Sequence, residues 1–166
     1  MAFNLFKKTN KEPKLEIIAP VNGEIVPLEE VPDPVFSEKM MGEGIAMLPT
    51  DGKFHAPVKG KVIQVAPTKH AVGILAEDGT EILMHIGLET VSLKGEGFQV
   101  MVETGDKITA GQLLIEADID YIREHAKSIV TPIVITNSQN SDKQYKPTEE
   151  KKATMGETVL MTISKK

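Results

Sequence analysis

The sequence predicts an all-β fold, a sandwich or barrel with one short helix. Three observations support this: short apolar runs separated by closely spaced glycines and prolines, an internal repeat, and almost no helical periodicity. Residues 1–15 read as a flexible basic tail, because a small apolar cluster around Phe3, Leu5 and Phe6 is followed by Lys7, Lys8, Lys11 and Lys14. Residues 1–14 also suit weak contact with an anionic membrane surface. Residues 16–166 read as a single domain. Within it, Ala19-Pro20-Val21-Asn22-Gly23-Glu24-Ile25-Val26 recurs as Ala56-Pro57-Val58-Lys59-Gly60-Lys61-Val62-Ile63, an offset of 37 residues. Val102 to Ile115, with turn glycines at Gly105 and Gly111, reads as a third relative of the same unit.

Between these repeats, Val72–Ala76 and Thr80–Gly87 read as the arms of a β-hairpin turning at Glu77-Asp78-Gly79. His70 and His85 flank that turn. A two- or four-residue loop would put both histidines on one face, directly or diagonally opposite, and a three-residue loop would separate them. Two imidazoles within reach of each other suit a shared metal, or a phosphoryl group held on one ring and hydrogen-bonded by the other. Two satisfied core histidines fit the residues equally well. Further on, Ile119 to Lys127 reads as the helix, with Asp118 or Asp120 as N-cap and Ser128 near its end. Asn137 to Lys143 and the polar run Tyr145 to Lys152 read as linker, and Thr158 to Ile163 as a final docked strand.

Composition narrows the function. A net charge of −5, from 19 Lys plus Arg against 24 Asp plus Glu, argues against nucleic acid and favours a basic protein partner. The absence of cysteine excludes disulfides, thiolate metal sites and cysteine nucleophiles, and fits a reducing cytoplasm. No apolar stretch approaches the roughly 20 residues that cross a bilayer. Other motifs carry less. Lys94-Gly95-Glu96-Gly97-Phe98 lacks the ending of a phosphate-binding loop and reads as a tight turn. In Glu38-Lys39-Met40-Met41, a glutamate stands where the lysine of a biotin carrier needs a methionine, so Lys39 reads as a surface residue. His55 reads as structural and His125 as solvated. A zinc peptidase would need a third protein ligand and a His-x-His pair that is not present.

The run Met84-His85-Ile86-Gly87-Leu88-Glu89-Thr90-Val91-Ser92-Leu93-Lys94-Gly95-Glu96-Gly97-Phe98 resembles the active-site segment of the glucose-class enzyme IIA family of the bacterial phosphoenolpyruvate-dependent sugar phosphotransferase system. Val31 to Ala46, Thr68-Lys69-His70-Ala71 and Lys127 to Asn137 are similar to that family as well, in order and spacing, so the likeness runs from about Glu16 to the last strand. It implies a flattened β-sandwich of the duplicated hybrid-motif type. It also implies that His85 accepts a phosphoryl group from phospho-HPr and passes it to the IIB domain of a glucose-type sugar permease. On the same resemblance, His70 supplies a donor to the phosphoryl oxygens and Thr68 fixes the tautomer of its ring.

Docking in that family implicates Val35, Phe36, Met40 and Met41 as an apolar surface, with Asp33 and Glu89 as an acidic rim. No cofactor is required. Zinc at His70 and His85, completed by a partner's carboxylate as some members do with glycerol kinase, is a further expectation, as is regulation of kinases or transporters by the unphosphorylated form. The sequence departs from the family pattern at Glu89, where Asp is usual, at Ala66 and Leu83, which replace bulkier aromatics, and at Ile86.

Overall fold

The computed structural model describes residues 14–166. Residues 1–13 of the expected tail lie outside the described residues, whereas Lys14 and Leu15 already belong to the first strand. The strands are β1 (Lys14–Ile18), β2 (Gly23–Pro27), β3 (Glu43–Pro49), β4 (Lys53–His55), β5 (Gly60–Val65), β6 (Ala71–Ala76), β7 (Glu81–His85), β8 (Phe98–Val100), β9 (Lys107–Ile108), β10 (Leu113–Ala117), β11 (Thr131–Ile135), β12 (Lys143–Pro147), β13 (Lys152–Ala153) and β14 (Val159–Lys165). Two helices, α1 (Pro34–Ser37) and α2 (Ile119–His125), and two 3-10 turns at Leu28–Glu30 and Thr90–Leu93 interrupt them. An eight-stranded sheet has the order β13-β2-β3-β11-β7-β6-β5-β9, and two three-stranded sheets have the orders β1-β14-β12 and β4-β10-β8.

Strand alternation explains the layering. In β7, Ile82 and Met84 point into the main core, as do Ile45 and Met47 of β3 and Ile133 and Ile135 of β11. The intervening Ala46 and Val134 point the other way, into a second cluster with Leu28, Val31, Phe36, Leu88 and Val130, against which Leu83 packs. The central strands are therefore buried on both faces. The segment carrying α1 is the lid of the second face, and His85, two residues on from Leu83, shares that face.

The 37-residue repeat is a structural duplication. The Ile18 N–H donates to the Pro57 carbonyl at 2.9 Å and the His55 N–H to the Pro20 carbonyl at 2.8 Å, each bond being the other with the repeat offset applied. Val102 to Ile115 is not a third copy of that unit. It partners the second repeat, through β9 on β5, the Asp106 carbonyl on Val62 N–H and the Gln112 carbonyl on Ala56 N–H. The polar C-terminal stretch does the same for the first repeat, through β13 on β2, Lys151 on Ile25 and Thr158 on Ala19. The stretch read as linker thus contains β12 and β13: its polar side chains face solvent while its backbone pairs.

Asp118 caps α2, accepting from the Tyr121 N–H at 3.1 Å. The helix ends at His125 rather than Lys127. The Lys127 N–H donates to Leu88 and the Leu88 N–H to Ser128, and this bridge draws the chain out of the helix. No helix among the described residues is long and apolar enough to cross a membrane.

Candidate functional site

The β6–β7 hairpin closes with Ala76 opposite Thr80, leaving the three-residue loop Glu77-Asp78-Gly79, with Gly79 at φ +92 and Asp78 accepting from the Thr80 N–H at 2.9 Å. Its register sets Ala71, not His70, across from His85. By strand parity alone the two histidines should diverge. They nevertheless meet, with ring centroids 4.8 Å apart and ring planes at 76°. The parity rule fails because His70 lies just before β6, in a turn where Lys69 has φ +65 and donates to the Ala66 carbonyl. The turn rotates the His70 side chain out of the alternation, while its carbonyl still accepts from the Ile86 N–H at 2.8 Å.

Each ring is held at Nδ1. His85 Nδ1 lies 2.8 Å from the Gly87 carbonyl oxygen, which can only accept, so Nδ1 carries the proton and Nε2 carries the free lone pair. Gly87 adopts φ +79, and a Cβ there would lie 2.6 Å from Thr90 Cγ2 and 2.9 Å from the Ser128 carbonyl. Thr90, fully buried, donates through Oγ1 to the Ile86 carbonyl at 2.8 Å. Gly87 and Thr90 therefore aim the carbonyl that sets the His85 tautomer, a role that sequence reasoning missed. His70 is 7% exposed, and its Nδ1 lies 2.8 Å from Thr68 Oγ1. Burial, then the neighbouring charge of His85, hold the His70 pKa down to about 4 against a hydrogen bond at Thr68. Burial also lowers the pKa of His85, opposed by the Gly87 carbonyl and the carboxylate of Asp33. At neutral pH both rings are uncharged.

The surroundings come from α1 and from the turn after β7. Asp33 caps α1 by accepting from the Val35 N–H at 3.0 Å. That cap places Phe36, only 4% exposed, with its ring centroid 5.2 Å from that of His85, where it supports the ring from beneath. Val35 and Met40 are exposed at 39% and 62%, and Met41 is partly buried on the second cluster. Val91, in the turn that follows His85, is a large apolar residue 57% exposed and was missed from sequence. Its signal was a large apolar residue one turn beyond the histidine. Glu89, at φ +59, stands 4.0 Å from Lys127 Nζ, which also donates to the Pro32 carbonyl at 2.8 Å. The rim near Asp33 thus includes a cation as well as two carboxylates.

His55 donates from Nδ1 to the Pro20 carbonyl at 3.0 Å, and His125 stacks on Tyr121 with centroids 4.2 Å apart, so neither reaches the pair. Lys39 bridges Glu29 and Glu43 at 3.3 and 3.2 Å. Among the described residues no group of three or more His, Cys, Asp or Glu side chains could hold a metal. A depression of about 1050 Å³, lined among others by Leu28, Glu29, Lys39, Glu43 and Tyr145, includes neither histidine. The histidine pair sits on an open, partly apolar face, a shape suited to a macromolecular partner.

A family model for the phosphoenolpyruvate-dependent sugar phosphotransferase system, EIIA 1, matches residues 15–141. The chain is 53% identical over 139 residues to a PTS system glucose-specific EIIA component of Staphylococcus epidermidis, covering 83% of this chain and 84% of the relative. It is 49% identical over 164 residues to one from Bacillus cereus, covering 99% and 97%. The solved glucose permease IIA of Mycoplasma capricolum superposes with a TM-score of 0.85 at 41% identity, covering 90% of this chain and 96% of that one. The chain belongs to the EIIA 1 family of the phosphoenolpyruvate-dependent sugar phosphotransferase system.

Proposed function

We propose that His85 Nε2 accepts a phosphoryl group from the phosphohistidine of HPr and passes it to the IIB domain of a glucose-type sugar permease, in the cytoplasm. The observation that carries this reading is the 2.8 Å contact of His85 Nδ1 with the Gly87 carbonyl, which leaves Nε2 unprotonated on the open face. In the accepting step the P–N bond to the donor ring breaks and its electron pair returns to that ring, while the Nε2 lone pair forms the new N–P bond. The Nδ1–H stays on the Gly87 carbonyl, which disperses the positive charge developing on the His85 ring. A loose phosphoryl transition state asks mainly for in-line approach and for donors to the equatorial oxygens. His70 supplies one: with the Thr68 hydroxyl donating to its Nδ1, its proton sits on Nε2 and faces the incoming group.

Val35, Met40, Met41 and Val91 give both partners an apolar landing, Phe36 supports the nucleophilic ring, and Asp33 and Glu89 steer a basic donor. The Thr68 hydroxyl can also accept, which would free Nε2 of His70 as a ligand. The pair would then supply two of the four ligands of a tetrahedral zinc, a partner's carboxylate and a water completing the set. That reading competes with phosphorylation for the same atoms. Regulation of transporters or of glycerol kinase by the unphosphorylated chain rests on family likeness. The test is incubation with phosphoenolpyruvate, enzyme I and HPr followed by intact mass. A gain of about 80 Da, one phosphoryl group, is expected for the wild type and no gain for His85→Ala, whereas an equal gain in both would place the acceptor elsewhere.

A further inference from the structure

The duplication provides an internal control for charge. The β2–β13 and β5–β9 pairs close the two ends of the eight-stranded sheet in equivalent ways. At the same ladder position, one end sets Glu24 opposite Lys152 and the other sets Lys61 opposite Lys107. Opposite charges facing each other across a ladder stabilise it, and like charges destabilise it. The fold therefore does not require two lysines here.

Lysine on an edge strand does block unwanted pairing. Lys107 alone would serve that purpose, as Lys152 does opposite Glu24. Among the described residues, neither Lys61 nor Lys107 is in an ion pair. Lys59, 3.5 Å from Glu77, lines the same shallow depression of about 560 Å³, together with Thr109. Three ammonium groups against one carboxylate thus gather on a molecule whose net charge is −5.

We propose that Lys61 and Lys107 form a clamp for a phosphomonoester dianion, with Lys59 and Thr109 at its margin. Directly opposed residues on an antiparallel ladder have Cβ atoms about 5 Å apart, so the two ammonium groups can each donate to a different oxygen of one phosphate. The dianion cancels the repulsion that the ladder otherwise carries. The clamp adjoins Leu75 and Ala76, at the far end of β6 from His70, a strand distance of roughly 17 Å. It can therefore be filled while the histidine face is docked. The dianion can belong to a soluble phosphomonoester or to a lipid headgroup.

The test is a titration of the isotope-labelled full chain, followed by amide shifts, with inorganic phosphate against chloride at equal ionic strength. A parallel arm measures cosedimentation with phosphatidylcholine vesicles with and without phosphatidic acid. Saturable shifts at Lys59, Lys61, Lys107 and Thr109 support a soluble source, and binding only to the phosphatidic acid vesicles supports a lipid source. In either case Lys107→Glu, which recreates the opposite-charge pair of the other end, is expected to weaken binding at least about tenfold. The same variant is expected to raise the thermal midpoint by roughly 1–3 °C, showing that it folds. The clamp is overturned by no saturable response in either arm, by responses that survive Lys107→Glu, or by shifts confined to the surroundings of His70 and His85.

Discussion

A carbonyl oxygen accepts hydrogen bonds and never donates them, and at His85 that asymmetry leaves Nε2 as the unprotonated nitrogen. The selection depends on Gly87 holding φ +79 against Thr90. Gly87→Ala would put a methyl group 2.6 Å from Thr90 Cγ2 in a left-handed conformation, which costs on the order of 1–3 kcal/mol and turns the carbonyl. A misplacement of about 1 Å near the reacting atoms costs on the order of 10²-fold. Phosphorylation of Gly87→Ala by phospho-HPr should therefore slow by roughly that factor while far-UV circular dichroism still reports a folded β protein. His70 makes a separate, pH-dependent contribution. Its folded pKa of about 4 lies below the ordinary 6.5, so the unfolded chain takes up the proton first as pH falls. The stability that comes from keeping His70 neutral is fully present above pH 6.5 and is lost as pH drops towards 4. His70→Gln removes this titration and keeps an N–H donor. Urea midpoints of the variant should fall less steeply than those of the wild type across that range, while mass spectrometry still finds one phosphoryl group. A variant that loses stability in parallel with the wild type would show that His70 is not the titrating group.

At the scale of elements, one aspartate joins helix capping to electrostatics. Asp33 holds the first turn of α1, and its carboxylate also raises the proton affinity of His85. Asn caps about as well as Asp, whereas Ala costs about 1 kcal/mol. Asp33→Asn should leave the thermal midpoint near the wild-type value and Asp33→Ala should lower it. Both should slow transfer from phospho-HPr and flatten its salt dependence, because both remove the steering charge. Rates that fall only for Asp33→Ala would reduce Asp33 to a cap. The same scale explains what the sequence disclosed. Short apolar runs and the glycine at position 79 made the hairpin legible, and Asp118, one of two candidate N-caps with Asp120, marked the start of α2, because those signals are local. The end of α2 was not legible, since it is set by the bridge between Leu88 and Ser128, 40 residues apart. Nor was the meeting of His70 with His85 derivable from hairpin parity. A left-handed Lys69 decides it, whereas the hairpin alone left the outcome to loop length. The backbone role of Gly87 was hidden for a related reason: a glycine after a strand reads as a turn, whatever its carbonyl is holding.

Across the whole molecule the duplication holds in backbone pairing, apart from a bulge between Val62 and Gln64 that β2 lacks, and is broken in chemistry. Carrying the two-fold relation through the ladders, β2 and β3 onto β5 and β6, and β11 onto β7, places Val134 where the other half has His85. Val134 is fully buried in the second cluster, under the segment that carries α1. One half of the repeat is thus packing, and the other holds the proposed nucleophile, His85, on the open face. The donor must bring its phosphorus to within about 3–3.5 Å of Nε2, and the acceptor must bring its nucleophilic atom to a similar distance from the phosphorus that Nε2 then carries, each in line with the bond that breaks. Both would need the surface of Val35, Met40 and Val91 at once, so they must take turns. Transfer through this chain should be ping-pong. Initial rates measured with phospho-HPr varied at several fixed IIB concentrations should give parallel double-reciprocal lines, and unphosphorylatable HPr should compete with IIB for the phosphorylated chain. Intersecting lines would require a ternary complex, and with it a second docking face that neither half of the duplicated sheet now provides next to His85.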